Sequence, residues 1–167
     1  MSERGTRLMA KADRQFSEMI EFFGTLDEAD LHKPCPGEST EDGAGDTAGA
    51  VAAHIAQGCR FLGKFLQPDG YVAESPATGN RKGRGHRYRL GHGRTFPPAV
   101  LPDMVDRLTG SKAPIGLLAD LTDEQLDSVP PAGSSRFSDG RRTLEQVTDK
   151  VIAHQAGHLM TLKRAVA

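Results

Sequence analysis

The stretch TLEQVTDKVIAHQAGHLMTL (143–162) combines a helix start with an apolar face that carries two histidines. Thr143 and Gln146 have the spacing of a capping box, which marks a helix N-terminus. His154 and His158 stand four residues apart, so on a helix they project from one face about one turn apart. The same face continues through the apolar residues Val147, Val151, Leu162 and Ala165. The stretch therefore predicts an amphipathic helix with both histidines on its buried side.

A third histidine, His54, lies in a similar setting in AGAVAAHIAQGCRFLGKFL (48–66), on an apolar stripe with Ala50, Val51, Phe61, Leu62 and Phe65. Burying an imidazole costs free energy unless the ring finds a partner. Three imidazoles that meet inside one core would satisfy this need by sharing a metal ion. Three protein ligands with an open fourth position are typical of a reactive metal. We therefore predict a metal site at His54, His154 and His158. For His154 and His158 alone, the alternative is two core or surface histidines at a common spacing.

Apolar periodicity elsewhere predicts further helices and no sheet. The four long helices are expected at about 3–25, 46–67, 99–121 and 143–165. Pro114 predicts a kink or break near 110–114, because proline removes a backbone donor. Thr122 with Gln125 predicts a short capped turn after the third helix. The predicted fold class is all-α, a four-helix bundle.

The two halves of the chain repeat one order of features. LDEADL (26–31), PCPG (34–37) and the His54 helix are echoed by LTDEQL (121–126), PPAG (130–133) and the His154 helix. Stacking two such halves about a pseudo-two-fold axis would bring the histidine helices together. In this alignment Gly58 takes the place of His158, which predicts an open side of the site beside Gly58.

The bulk composition is that of a globular protein. The 167 residues fit one domain spanning 1–167, with 37% hydrophobic and 26% charged residues. A net charge of −1 gives no general reason to expect nucleic acid or an anionic membrane as a partner. No apolar run approaches the roughly 18 residues of a membrane span. The charged N-terminal stretch and only two cysteines favour a cytoplasmic protein.

The segment at about 69–98 is predicted to be an irregular, basic insertion. Between Ser75 and Pro102 it carries no carboxylate and six cations, Arg81, Lys82, Arg84, Arg87, Arg89 and Arg94. We expect Arg84, Arg87 and Arg89 to bind an anionic substrate or cofactor beside the metal. A solvated loop is the alternative. Nucleic-acid binding is disfavoured, because few aromatic residues accompany the cations.

Five other side chains lie on or near the predicted helices and could contribute to the site or to the core. Gln57 and Gln155 are interpreted as solvated helix residues, with donation of hydrogen bonds to the metal ligands as the alternative. Cys59 is predicted to be a small core residue, and Asp149 to face solvent. Cys35 is interpreted as a loop residue, or as a reactive thiol if its loop reaches the site. The helical motifs thus offer no candidate general base.

Two stretches carry a resemblance to a known family: PCPG (34–37) leading into TAGAVAAHIAQG (47–58), and TLEQVTDKVIAHQAGHL (143–159). They resemble the DinB/YfiT-like superfamily of metalloenzymes, including its mycothiol-dependent maleylpyruvate isomerase type. The resemblance implies an up-down-down-up four-helix bundle whose histidine triad binds one divalent metal. It also implies metal-dependent transfer of a low-molecular-weight thiol such as mycothiol, bacillithiol or glutathione. The chain departs from the family in having no Trp and a long basic insertion.

These observations favour a bacterial metal-dependent enzyme acting on a small anionic or thiol-bearing molecule, by thiol transfer or isomerisation. Imidazole ligands suit Zn, Ni, Fe or Co. Such a metal would lower the pKa of a bound thiol or water. Two alternatives stay open. One is a non-catalytic metal- or ligand-binding bundle, and the other is a dimerisation scaffold, with a homodimer as its assembly.

Overall fold

The computed structural model describes residues 2–35, 47–66 and 100–167, and over these residues the chain is helical. A single isolated β-bridge, Pro34 to Thr47, accompanies the helices. The helices are α1 (Glu3–Phe23), α2 (Glu28–Leu31), α3 (Ala48–Phe65), α4 (Val100–Lys112), α5 (Leu117–Asp120), α6 (Asp123–Asp127) and α7 (Leu144–Val166). The all-α prediction is therefore confirmed for the described residues. No helix among them is long and apolar enough to cross a membrane.

Helix ends follow the local signals in the sequence. Both predicted capping boxes form: the Thr122 and Thr143 hydroxyls accept hydrogen bonds from the backbone N–H groups of Gln125 and Gln146, whose side chains bond back. The third predicted helix breaks where Pro114 was expected to break it. A 3₁₀ turn, Ala113–Gly116, separates α4 from α5.

Contacts between distant residues give the relative directions of the long helices. Early residues of α1 meet early residues of α7, and late residues meet late ones, in the ion pairs Arg4–Glu145, Lys11–Asp149 and Glu18–Lys163. The two helices therefore run parallel. In contrast, α1 and α4 run antiparallel, because Asp13 pairs with Lys112 while Gly5 lies against Leu118 in α5.

The four long helices contact one another in a closed ring, in the order α1, α4, α3 and α7. Their shared core is apolar, as the sequence stripes predicted. From α1 it receives Leu8, Ala12, Phe16, Met19 and Phe23. The side chains of Phe61 and Phe65, two predicted members of the α3 stripe, lie outside the described residues. This ring places α3 beside α7 and so brings the two histidine helices together.

Candidate metal centre

The three predicted histidines meet across the contact between α3 and α7. One ring nitrogen from each of His54, His154 and His158 lies within 4.8 Å of the others. The rings of His54 and His158 are 4.7 Å apart between centroids, and those of His154 and His158 are 4.2 Å apart. His154 Nε2 and His158 Nε2 are 2.9 Å apart, which is hydrogen-bond distance. The sequence therefore identified a group of side chains that the fold brings together.

Local geometry explains how two helices supply the three rings. His154 and His158 project from one face of α7 because a helix returns to the same side after about four residues. His54 approaches from α3, which is antiparallel to α7: His54 faces His158, whereas Gly58 faces the earlier residue Gln155. The interplanar angles of 77° to 86° leave the rings edge to face rather than stacked. Edge-to-face rings allow ring nitrogens to converge on one point.

This donor set fits a divalent metal ion. A four-coordinate zinc with zinc–nitrogen bonds of about 2.0–2.1 Å holds its ligand nitrogens about 3.3 Å apart. The observed nitrogen separations, from 2.9 Å to the 4.8 Å limit, bracket this distance, so modest ring rotations would complete a site. All three rings are half-buried, which leaves the group accessible to solvent and small molecules. The described residues add no carboxylate to the group.

Phe137 is a component of the site that the sequence analysis missed. Its ring lies edge-on to His154, with 5.3 Å between centroids, and so forms an apolar wall beside one of the three histidines. The residue lies in the loop between α6 and α7, far from any periodic pattern that could have marked it. The only available signal was that this loop immediately precedes the helix carrying two histidines.

The Phe137 loop (128–143) is held by its own hydrogen bonds. Its ends are joined by Leu144 N–H, which donates to Ser128 O over 2.7 Å. Inside it, the buried hydroxyls of Ser135 and Ser138 are 2.6 Å apart, and Arg142 donates to the Phe137 carbonyl. The loop therefore presents Phe137 to His154 as a fixed surface.

Asp139 organises the turn that leads from this loop into α7. Its Oδ1 accepts hydrogen bonds from the backbone N–H groups of Arg142 and Arg141, over 2.9 and 3.0 Å. These donors hold the pKa of Asp139 below its ordinary value, because they favour the charged carboxylate. Gly140, next along the chain, has a φ of 74°, a conformation that favours glycine.

Gln155 corrects two predictions. Its side chain is only 5% exposed, so the interpretation of Gln155 as a solvated residue is wrong, whereas Gln57 is exposed as predicted. The Gln155 carboxamide lies against Gly58: a Cβ added at Gly58 would overlap Nε2 and lie 2.8 Å from Cδ. The predicted open side beside Gly58 is therefore filled by this carboxamide. A contact between residues so far apart in sequence cannot be inferred from the period of either helix.

Cys59 and Asp149 behave as predicted and stay out of the site. Cys59 is buried with its sulfur 3.6 Å from the sulfur of Met19, and burial raises the pKa of the Cys59 thiol to about 12. The thiol therefore stays protonated and is neither a ligand nor a nucleophile. Asp149 pairs with Lys11 at the surface. Cys35 is buried, which argues against the reactive-thiol alternative.

A separate groove of about 600 Å³ lies between the N-terminal halves of α1 and α7. Its lining includes Arg4 with Glu145 and Lys11 with Asp149, two of the ion pairs that join these helices. The groove is lined by five cations and two carboxylates, and the three histidines do not line it. The basic segment with Arg84, Arg87 and Arg89 lies outside the described residues.

Comparison with known proteins adds no relative. No protein-family model, no curated protein and no solved structure matches this chain. The DinB/YfiT-like resemblance therefore stays a prediction based on the histidine motifs. The basis for a function is the three-histidine group itself, together with Phe137 and Gln155 around it.

Proposed function

We propose that this protein is a metal-dependent enzyme in which His54, His154 and His158 bind one divalent ion and leave a coordination position open. The observation that carries the proposal is the convergence of three imidazoles, from two helices distant in sequence, with ring nitrogens within 4.8 Å. Zn, Ni, Fe and Co all suit such ligands. Three protein ligands without a fourth are typical of catalytic metal sites rather than structural ones.

The distribution of protons and lone pairs over the ring nitrogens supports a metal over a purely structural role for the histidines. At 2.9 Å, one Nε2 of the His154–His158 pair must carry a proton while the other accepts it. A cation at the centre of the group would let all three rings direct lone pairs at the same point. A cluster of imidazoles in a half-buried position would otherwise restrict three side chains without an evident return in packing.

The proposed chemistry uses a small anionic or thiol-bearing substrate. When bound, the metal would act as a Lewis acid that lowers the pKa of a thiol or water molecule. The histidines would hold the ion, and Phe137 would exclude water from one side. Transfer or isomerisation assisted by a thiol, such as mycothiol, is the reaction class that the DinB/YfiT-like resemblance favours. We further propose that Arg84, Arg87 and Arg89 bind the anionic part of the substrate.

The proposal extends to the architecture and setting. We propose a single domain built as a DinB-like four-helix bundle in a cytoplasmic protein. The closed ring of helix contacts supports the bundle, as do the directions of its members, with α1 parallel to α7 and antiparallel to α4. An up-down-down-up order follows if α3 is antiparallel to α7, as the His54–His158 and Gly58–Gln155 contacts indicate.

Metal analysis tests the core of the proposal. The purified protein is equilibrated with Zn, Ni, Co or Fe(II), freed of excess metal and analysed for its elements. We expect about one ion per chain. His154→Ala should lose the ion, because the two remaining ligands hold a metal poorly. His32→Ala, which removes an exposed histidine at the end of α2, is the matched control and should retain it. An empty parent protein would refute the metal site.

Turnover separates an enzyme from a non-catalytic metal-binding protein. The alternative has one observation in its favour, namely that the histidine group includes no carboxylate that could act as a general base. The loaded protein is therefore assayed with small electrophilic acids and with mycothiol, bacillithiol or glutathione. Metal-dependent turnover that His154→Ala abolishes supports an enzyme. A protein that is fully loaded with metal but turns over no combination of acid and thiol supports the alternative of a non-catalytic metal-binding protein.

The arginine assignment is tested independently of the metal. Replacing Arg84, Arg87 and Arg89 together by Ala should weaken the affinity for an anionic substrate by at least about tenfold, because each charge-assisted contact contributes about 1.5–3 kcal/mol. Metal content should stay at the parent level. Unchanged turnover of the triple variant would indicate that the basic segment is a solvated loop without a role in binding. Loss of the metal would indicate that the set of metal ligands has to be revised.

A further inference from the structure

The Gln155 side chain contains a polar atom whose partner is missing from the described residues. Gln155 is 5% exposed, and its Oε1 is buried with no hydrogen-bond donor in reach among those residues. Buried polar atoms are nearly always hydrogen-bonded, so each exception calls for an explanation such as an ordered water, an ion or a functional role. A leucine would fill a similar volume without leaving an oxygen unpaired. The carboxamide therefore needs a reason other than packing.

The position of Gln155 suggests that reason. Gln155 follows His154 directly and precedes His158 by three residues. Its carboxamide contacts Gly58, which stands one turn after His54, and one turn rises about 5.4 Å. Along the α3–α7 interface, the Gly58–Gln155 contact is therefore the next contact after the one between His54 and His158. By this register, the Gln155 carboxamide falls about one helical turn from the His54–His158 contact.

Gly58 makes room for this carboxamide. A Cβ at residue 58 would overlap Gln155 Nε2 and lie 2.8 Å from Cδ and 3.1 Å from Oε1. Any other residue at this position would therefore displace the carboxamide. Gly157, the helical glycine of α7, differs sharply, because a Cβ there would meet no atom within 4 Å. A glycine inside a helix and an unpaired buried oxygen each lower stability, and here the two meet at one contact.

We infer that Gln155 is a hydrogen-bond acceptor of the metal-loaded site. Its Oε1 accepts a hydrogen bond from a donor that is held beside the three histidines once the ion is bound, which is water in the resting protein and an O–H, N–H or S–H group of the substrate during turnover. Gly58 keeps the carboxamide in place for this bond. The inference rests on the proposed metal site and narrows the substrate class to molecules with a hydrogen-bond donor next to the atom that faces the metal.

Four single variants test the inference in the full-length protein, with zinc and Co(II) as probes. Gln155→Leu removes the acceptor and keeps the size of the side chain. Gly58→Ala keeps the glutamine but pushes its carboxamide out of place. Gln57→Leu is the control for the first, since Gln57 is an exposed carboxamide on α3, and Gly157→Ala is the control for the second. The measurements are the melting temperatures of apo and zinc-loaded protein, the zinc dissociation constant and the Co(II) absorption spectrum.

We expect Gln155→Leu to melt higher than the parent in the apo state, because an unpaired buried oxygen is removed. Its zinc affinity should fall at least about tenfold, as is typical when a residue that supports a metal site from outside is lost. Its Co(II) spectrum should also change. Gly58→Ala should show the same loss of zinc affinity and the same change in the Co(II) spectrum. The variant that carries both substitutions should bind zinc no more weakly than either single variant. Both control variants should keep the zinc affinity within about twofold.

The outcomes that overturn the inference differ from those that overturn the metal site. A parent protein that binds neither zinc nor Co(II) refutes the metal site and this inference together. A parent that binds zinc, with a Gln155→Leu variant of equal affinity and unchanged Co(II) spectrum, refutes the inference alone and leaves the carboxamide as packing. If Gln155→Leu does not fold, Gln155→Met provides the same comparison with a more flexible side chain.

Discussion

Thr148 Oγ1 and Gln155 Oε1 are two buried oxygens on one face of α7, and neither has a hydrogen-bond partner among the described residues. The two residues lie seven positions apart, which is about two turns of helix. Their surroundings differ, because Gln155 neighbours two histidines whereas Thr148 stands one and a half turns or more before them. Thr148 therefore allows the cost of an unpaired buried polar atom to be measured away from the proposed metal site.

Thr148→Val should stabilise the protein by about 1 kcal/mol, because the isosteric methyl group removes an unpaired hydroxyl from a fully buried position. The free energy of unfolding from urea titration measures the change, and metal content should be unaffected. Thr161→Val on the same helix is the control: the Thr161 hydroxyl already donates to Gly157 O, so no gain is expected. A loss of stability in Thr148→Val would mean that the hydroxyl has a partner outside the described residues.

Backbone contacts decide how closely α1 and α5 approach each other. Gly5 packs α1 against the end of α5, and a Cβ at this position would overlap the Leu118 carbonyl oxygen and lie 3.3 Å from that of Leu121. Both obstacles are backbone atoms, which cannot rotate away as a side chain can. The helix pair can therefore keep its spacing only with glycine at residue 5.

Gly5→Ala should thus destabilise the protein by more than about 1 kcal/mol, even though alanine is the better helix former by about that amount. Gly110→Ala is the matched variant, because Gly110 lies in α4 with no atom within 4 Å of an added Cβ. The same substitution there should stabilise the protein. Thermal melting of the two variants against the parent tests the contrast, and shifts of the same sign in both would contradict it.

Acid should weaken the turn that joins the Phe137 loop to α7. Hydrogen bonds from the backbone of Arg142 and Arg141 lower the pKa of Asp139. The charged carboxylate therefore stabilises the folded state at pH values above 3.8, the ordinary pKa of this side chain. That contribution is lost as the pH falls through the lowered pKa. Asp139→Asn should therefore melt below the parent at neutral pH, and the difference should shrink below pH 3.8.

The measurement is the melting temperature of parent and variant across this pH range. Asp106→Asn, at an exposed position on α4, controls for a general loss of surface charge. A gap between Asp139→Asn and the parent that stays constant to the lowest pH would show that the charge of the carboxylate does not contribute.

The closed ring of helices depends mainly on its apolar core, since two of the three ion pairs between α1 and α7 are about half exposed, and exposed pairs contribute little to stability. Periodicity and caps were enough to predict the all-α class, and Pro114 was enough to predict the helix break, because these are local signals within one helix. The apolar stripes of two separate helices were enough to indicate that His54, His154 and His158 could meet. Phe137 and the Gly58–Gln155 contact were missed or misjudged, because they depend on how distant segments meet.

A bound metal would link two neighbouring helices of this ring, because His54 belongs to α3 whereas His154 and His158 belong to α7. Binding to the folded state alone stabilises it by mass action, by about 2.7 kcal/mol at a free zinc concentration 100 times the dissociation constant. For a chain of this size, that corresponds to a rise in melting temperature of about 5–11 °C.

His54→Ala should abolish this rise although it leaves both α7 histidines in place, because the link between the helices is lost. His32→Ala should melt higher with zinc, just as the parent does. Scanning calorimetry of all three proteins, with zinc and with a chelator, measures the shifts. A zinc-dependent rise that persists in His54→Ala would show that the ion binds within α7 alone or at residues outside the group, and the proposed three-histidine site would then be wrong.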